Sequence, residues 1–177
     1  MKTNWIYGIL IILISIVACS DEKPTAIDLP LVVSNDIGTT LGLHFGLHPS
    51  ATDTLDKSLG EQELPPFPPG EILEARFIGD EISLPELGLG TYVDYRQGNS
   101  DFKGIKTHEL KFQMGSGNEI IFKWDLPNGI TGVMQDFITG EIVKKTMAGR
   151  DSLVLSKPPY IDKLMMTIKY GGTPLEP

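Results

Sequence analysis

Between Ile105 and Trp124 the apolar residues recur at every second position on both sides of a tight glycine turn. His108, Leu110, Phe112 and Met114 share one face, while Thr107, Glu109, Lys111 and Gln113 share the other. After Gly115-Ser116-Gly117-Asn118, the residues Ile120, Phe122 and Trp124 alternate with Ile121 and Lys123. A period of two sends one row toward a core and the next toward water, which is the pattern of half-buried strands and not of helices. The intervening glycine turn is expected to close a hairpin. Leu41, Leu43, Phe45 and Leu47 repeat the pattern against Gly42, His44 and Gly46.

Further strands are expected at Leu31–Val33, Ile72–Ile78, Tyr92–Tyr95, Ile130–Ile138, Glu141–Met147, Ser152–Leu155 and Lys163–Tyr170. Between them lie turns at Asn35–Gly38 and Asp125–Gly129, where Asn-Gly tolerates positive φ. The stretch from His48 to Gly70 breaks the pattern. Ser50–Leu59 suits a short helical turn, and Leu64-Pro65-Pro66-Phe67-Pro68-Pro69-Gly70 must run extended as a crossover, because proline fixes φ and lacks a donor. The 19 glycines and 13 prolines in 177 residues exclude a helical bundle. There is no repeat, no heptad pattern and no second domain. The expected fold is all-β, a single antiparallel β-sandwich of eight or nine strands, immunoglobulin-like or jelly-roll-like, over residues 31–171, with a tail at 172–177.

Cys19 is the only cysteine, so an internal disulfide is impossible. The formal net charge of −8 repels phosphate backbones and argues against nucleic-acid binding. At the N-terminus Lys2 precedes an apolar run from Trp5 to Ala18, short of the roughly 20 residues that a bilayer-spanning helix needs. It fits the charged, apolar and small-residue regions of a cleavable secretion signal over residues 1–18. The run ends in Ile16-Val17-Ala18-Cys19, which resembles the lipobox of bacterial lipoproteins. That resemblance implies a diacylglycerol on the Cys19 sulfur, removal of the preceding peptide and acylation of the new amino group, so the membrane is a partner through this anchor. Ser20, where aspartate would resemble an inner-membrane retention signal, implies outer-membrane placement in a Gram-negative envelope. Asp21 and Glu22 resemble the short acidic tract of lipoproteins carried to the outer face. Residues 19–30 are polar, with Pro24 and Pro30, and read as the lipidated cysteine and a flexible tether.

Past the tether, several phrases resemble a recurring β-sandwich module of secreted bacterial proteins that stands ahead of a C-terminal secretion-sorting domain. They are Leu43-His44-Phe45-Gly46-Leu47-His48-Pro49 with Ala51-Thr52-Asp53, Leu59-Gly60-Glu61 with Glu63-Leu64-Pro65-Pro66 and Pro68-Pro69, and Glu74-Ala75-Arg76-Phe77. Asp94-Tyr95-Arg96, Trp124-Asp125-Leu126-Pro127 with Gly129, and Thr131-Gly132 with Gln135-Asp136 continue the series. The resemblance implies a non-catalytic surface or accessory domain. The module carries aspartate where this chain has His48 and glycine where it has Thr54. With no sorting domain expected after Tyr170, the lipid takes its place as the anchor.

Among candidate sites the acidic loop Asp53, Asp56, Glu61 and Glu63 is the sharpest, because calcium wants several carboxylate oxygens and this spacing can bring them together. The loop lacks the full Asp-x-Asp/Asn-x-Asp/Asn-Gly pattern, which favours a solvated loop with Asp53 capping a short helix. His44 and His48 stand on one side of a strand, about 13 Å apart at roughly 3.3 Å per residue, too far to chelate one ion, and zinc would need His108 and distant carboxylates. Ser116 lies in a turn without the Gly-x-Ser-x-Gly elbow, and the same glycines lack the residues of a phosphate loop. Asp94 and Glu109 are the carboxylate pair on which a sugar hydrolase would have to rest. Trp124, Tyr92, Tyr95 and Tyr160 are the aromatics able to stack on a sugar, with Trp124 expected in the core. Arg76, Asp94 and Arg96 are expected to form a buried or edge ion pair.

The resulting expectation is a lipid-anchored envelope protein, not an enzyme, whose sandwich has a structural or interaction role with an envelope protein or glycan. The alternative is a carbohydrate- or calcium-dependent binding and adhesion module.

Overall fold

The computed structural model describes residues 25–52, 54–79, 90–138, 140–157 and 161–171. Cys19, Asp53 and Tyr160 lie outside these residues, as do the signal segment 1–18 and the tail 172–177. Ten strands are described: β1 (Ile27–Asn35), β2 (Thr40–His48), β3 (Leu73–Ile78), β4 (Val93–Gln97), β5 (Gly104–Met114), β6 (Glu119–Asp125), β7 (Ile130–Asp136), β8 (Lys144–Ala148), β9 (Arg150–Ser156) and β10 (Lys163–Tyr170). They form two five-stranded sheets, β4-β2-β1-β6-β9 and β3-β5-β10-β7-β8. The chain is an all-β sandwich, as its alternation predicts.

The inward rows of both sheets fill one core. Leu31, Val33, Leu43, Phe45, Leu47, Ile120 and Phe122 from the first sheet are fully buried, as are Ala75, Phe77, Leu110, Met134, Leu164, Met166 and Ile168 from the second. Phe112 and Phe122 meet edge to face across the sandwich at 5.2 Å, a favoured arrangement for aromatic pairs.

Several local expectations change. Strand β1 begins at Ile27, so residues 27–30, read from the sequence as tether, are paired with β2. Leu29 is buried on the inward row, and β6 pairs with β1 only from Leu31 onward, so Pro30 lies where β1 lacks that neighbour and its missing N–H is tolerated. The expected hairpin at Gly115–Asn118 is instead an arch: β5 pairs with β3 and β10, whereas β6 pairs with β1 and β9 in the other sheet. Alternation alone cannot distinguish these, because both put the apolar rows inward. Among the described strands only β1–β2 and β7–β8 are hairpins, and the other seven connections change sheet. The pairing of β4 with β2 is parallel, not antiparallel, because the chain reaches β4 from the opposite sheet and enters at the end where β2 starts. The short helical turn is a single 3-10 turn at Lys57–Leu59. Asp56 occupies its N-cap position without a side-chain capping bond, and Asp53, the expected cap, lies outside the described residues.

The β5–β6 arch depends on glycine. Gly115 has φ +69°, and a Cβ there would lie 2.6 Å from the Leu73 backbone nitrogen. Gly38 in the β1–β2 turn has φ +92° with open space around it. Alanine at either site meets the left-handed penalty of about 1–2 kcal/mol, but only Gly115→Ala must also push the backbone of β3 aside. Urea denaturation should show Gly115→Ala to be less stable than Gly38→Ala by at least about 1 kcal/mol.

Candidate functional site

Four groups of polar residues carry the chemistry that the sequence offers. The first crosses the sandwich. On β4 the alternation sends Asp94 and Arg96 inward and Tyr95 outward, and on β5 it sends His108 inward. His108 Nδ1 lies 2.7 Å from Asp94 Oδ2, while Arg96 Nε and Nη2 approach the same carboxylate at 3.0 and 3.2 Å. Asp94 is 2% exposed and His108 is fully buried, its ring flanked by Phe45 at 5.2 Å and Phe77 at 5.9 Å. Burial alone would raise the Asp94 carboxyl, but His108 and Arg96 outweigh it and hold the group below the usual carboxylate value. Nearby, burial and then the Asp94 charge push the Tyr170 hydroxyl above the ordinary phenol range.

Arg76 does not join this cluster. It lies on the outer face of β3, where its Nη2 pairs with Glu74 Oε2 at 3.2 Å and its Nη1 donates to the Pro65 carbonyl at 2.7 Å. The proline-rich crossover passes over this face as a strap. The Phe67 ring stacks 4.1 Å from the guanidinium carbon, and Gln113 Nε2 donates to the carbonyls of Pro68, Pro69 and Ile72. Tyr92 donates its hydroxyl to Glu74 Oε2 at 3.2 Å. Burial first, and then Glu74, raise the Tyr92 hydroxyl above its usual range. The expected Arg76–Asp94–Arg96 grouping is therefore two separate pairs: Glu74–Arg76 on the outer face of the second sheet, and Asp94–Arg96 on the inward face of β4 in the first.

In the acidic loop, Glu61 is 1% exposed, and both of its oxygens accept backbone amides. Asp56 N–H donates to Oε2 at 2.6 Å and Tyr95 N–H to Oε1 at 2.7 Å. Burial raises the Glu61 carboxyl, and the two amides only partly offset it. Asp56 accepts Thr52 N–H at 2.7 Å and the Thr52 hydroxyl at 3.0 Å. These bonds commit Asp56 to Thr52 within the loop and Glu61 to amides of the loop and of β4, and among the described residues no group of three or more potential ligands gathers for a metal. Of the other two candidates, Glu63 is half-buried just past Glu61 and Asp53 lies outside the described residues.

His44 and His48 both sit on the outer face of β2. His44 Nδ1 pairs with Asp28 Oδ1 at 2.9 Å, and His48 Nδ1 accepts the Ser50 N–H at 3.1 Å. Tyr95 bonds to Asp28 on the same face, and burial together with that bond pushes its hydroxyl up to about 12. Glu109 follows His108 on β5 and so points to the outer face, with the sheet between it and Asp94. The two carboxylates do not converge on a common cleft. Ser116 is held in the arch, its N–H and hydroxyl both directed to the Glu71 carbonyl. Trp124 is in the core at 3% exposure.

Open concavities lie elsewhere. A groove of about 470 Å3 crosses the outer face of the first sheet between Pro30, Val32, Lys123, Asp125, Arg150 and Ser152. Another of about 450 Å3 lies at the end where β1 starts, bounded by Ile27, Phe102, Lys103, Asn128 and Tyr170. Neither is lined by Asp94, His108 or the acidic loop. Asp94–His108 has the spacing of an orienting acid and a base, but a base must reach a substrate proton, and this imidazole is sealed between phenyl rings. Its chemistry is that of a tie between sheets.

His108 and Glu61 are the residues whose roles the sequence reading missed. A histidine in register with Leu110, Phe112 and Met114 signals a buried polar partner, because an inward row tolerates such a group only when it is bonded. Nothing comparable marks Glu61, whose partners are backbone amides.

No family model, no curated protein and no solved structure matches this chain.

Asp94→Ala leaves the buried His108 and the half-buried Arg96 without their anion and should cost about 3 kcal/mol in urea denaturation. Because its folded pKa is depressed, Asp94 contributes stability above the unfolded carboxylate value of 3.8, and this is lost as pH falls through the lower folded value. Glu61 acts in the opposite sense: its raised pKa gives stability that is present below 4.5 and lost as pH rises through the folded value. Asp94→Asn should therefore flatten the acid limb of the stability profile, and Glu61→Gln should flatten its rise from neutral pH toward mild acid.

Proposed function

We propose that this chain is a lipid-anchored envelope protein whose β-sandwich serves a structural or interaction role at the outer membrane or cell surface and performs no chemistry of its own. The observation that carries the reading is the lipobox-like Ile16-Val17-Ala18-Cys19 standing so close to the first strand, which starts at Ile27. At most about 3.6 Å per residue, the link from Cys19 to Ile27 spans no more than about 29 Å. A lipidated cysteine would thus hold the sandwich against the bilayer surface, and stable attachment takes more than one acyl chain.

The described polar groups support this reading. Asp94, His108, Arg96, Glu61, Glu74 and Arg76 are invested in holding strands and strap together, and the open grooves are not lined by these buried pairs. A sugar-binding role has less support: Trp124 borders the outer groove but is only 3% exposed, and the Tyr92 and Tyr95 hydroxyls are engaged by Glu74 and Asp28.

Fractionation and radiolabelled palmitate uptake test the anchor. The wild-type chain should carry label and partition with outer-membrane material, whereas Cys19→Ala should lose the label and leave that fraction. Unchanged membrane retention without label would refute lipidation. Protease treatment of intact cells then reports the face: loss of the sandwich places it outside.

A further inference from the structure

The two edges of the first sheet are finished differently. At β4 the Glu61 carboxylate caps the outward-facing Tyr95 N–H, and the strap continues past it through Gln62 N–H to Thr91 Oγ1 and Leu64 N–H to the Gly90 carbonyl. At the other edge, β9 pairs with β6 on one side, and no described strand pairs with it on the other. All seven of its residues are exposed or half-buried, and Val154 is 47% exposed. Proteins commonly guard such edges with prolines, bulges or inward charges, because a bare row of amides and carbonyls templates another strand. Between Asp151 and Lys157 this edge carries only Ser-Leu-Val-Leu-Ser.

The orientation of the backbone identifies which groups are available. Lys157 N–H donates to the Asn118 carbonyl at 2.8 Å, and the Gly149 carbonyl accepts Leu126 N–H at 2.9 Å, so odd-numbered residues turn their amides toward β6. Strand alternation then turns Ser152, Val154 and Ser156 outward. Ser152 N–H is accepted by the side chain of Asp151, the residue before it, at 2.7 Å.

The sequence Asp151-Ser152-Leu153-Val154-Leu155-Ser156-Lys157 reads alike in both directions, with opposite charges at its ends. We propose that β9 pairs antiparallel with β9 of a second copy of this chain, about a two-fold axis at Val154. In this register Val154 faces Val154, Leu153 faces Leu155, Ser152 faces Ser156, and Asp151 faces Lys157 of the second copy. All three outward residues fall at hydrogen-bonded positions, where directly opposed residues exchange both bonds. Leu153 and Leu155, which pack partly on the core, join their counterparts on the inner face. Asp151 keeps Lys145 on Oδ2 at 2.7 Å and turns Oδ1 from its neighbouring amide to the opposing Lys157 ammonium, which donates one of its three hydrogens to the Gly115 carbonyl at 3.0 Å and has two more to offer, freeing Ser152 N–H for the Ser156 carbonyl of the second copy. Moving the axis by one residue, to Leu153, would set Asp151 against Leu155 and lose the charge pairing. Pro158 and Pro159 end the row of donors beyond Lys157. The interface is isologous and closed, and the two five-stranded sheets become one of ten strands.

Site-specific crosslinking of the full chain in its native membranes tests both partner and register, with the wild type reporting any linkage through Cys19. Val154→Cys should form a disulfide dimer on mild oxidation. Ser152→Cys alone should not, because its copies stand about 14 Å apart along the strands, beyond the roughly 7 Å reach of a disulfide. The Ser152→Cys, Ser156→Cys double variant should link. In sedimentation of the detergent-solubilised chain, Val154→Lys places like charges face to face and should weaken the dimer about tenfold or more, with its near-ultraviolet circular dichroism unchanged. No linkage at Val154, equal linkage at Ser152, a wild-type chain that sediments as a monomer, or an adduct with a different envelope protein at this edge would overturn the proposal. These readouts do not depend on whether Cys19 carries lipid.

Discussion

Every strand of this sandwich must give one row of side chains to a single shared core while the chain changes sheet at most of its connections. That constraint governs the rest of the structure. It allows hairpins only at β1–β2 and β7–β8 and makes the remaining links arches or crossovers. It also places glycine where an arch passes close to a neighbouring strand, as Gly115 does beside Leu73. Crossing between sheets so often has a polar cost, since strands such as β4 must be fastened at an edge. The fastening is electrostatic, with Asp94 reaching across the core to His108 and Glu61 reaching from the crossover to the Tyr95 amide.

Those ties account for where the charged residues went. A dry carboxylate such as Asp94 is tolerated because two basic groups face it, and a dry arginine such as Arg76 because a carboxylate, a carbonyl and a phenyl ring enclose it. Both sets lie against β3 or β4, at the side of the sandwich where the sheets are bridged by Phe77 and Thr91 and crossed by the strap. The opposite side, where β8 bends into β9 at Gly149, has no comparable closure among the described residues. The strap is thus confined to one flank, while the other holds its own buried carboxylate, Asp136, whose oxygens accept the amides of Ile138, Ile142 and Val143.

The alternation in β2, β5, β6 and β10 made the fold class legible in the sequence, because an inward row is a direct consequence of strand geometry. Which sheet each strand joins was not legible. Gly115–Asn118 has the residues of a hairpin turn, and only long-range pairing decides that it is an arch. The ion pairs were half legible: Asp94 with Arg96 follows from strand spacing, whereas His108 and Glu74 enter through register between distant segments. The candidate calcium loop misled for a related reason. Carboxylates close in sequence look like ion ligands until the backbone amides that Glu61 and Asp56 satisfy are known.

The position of the last strand has a consequence for biosynthesis. Strand β10 lies in the middle of its sheet, between β5 and β7, and supplies Leu164, Met166, Ile168 and Tyr170 to the core. Until residues 163–170 have left the ribosome, β5 and β7 have no common partner, and half of the interior is missing a wall. A nascent chain built this way cannot settle early. Its second sheet closes only once β10 arrives.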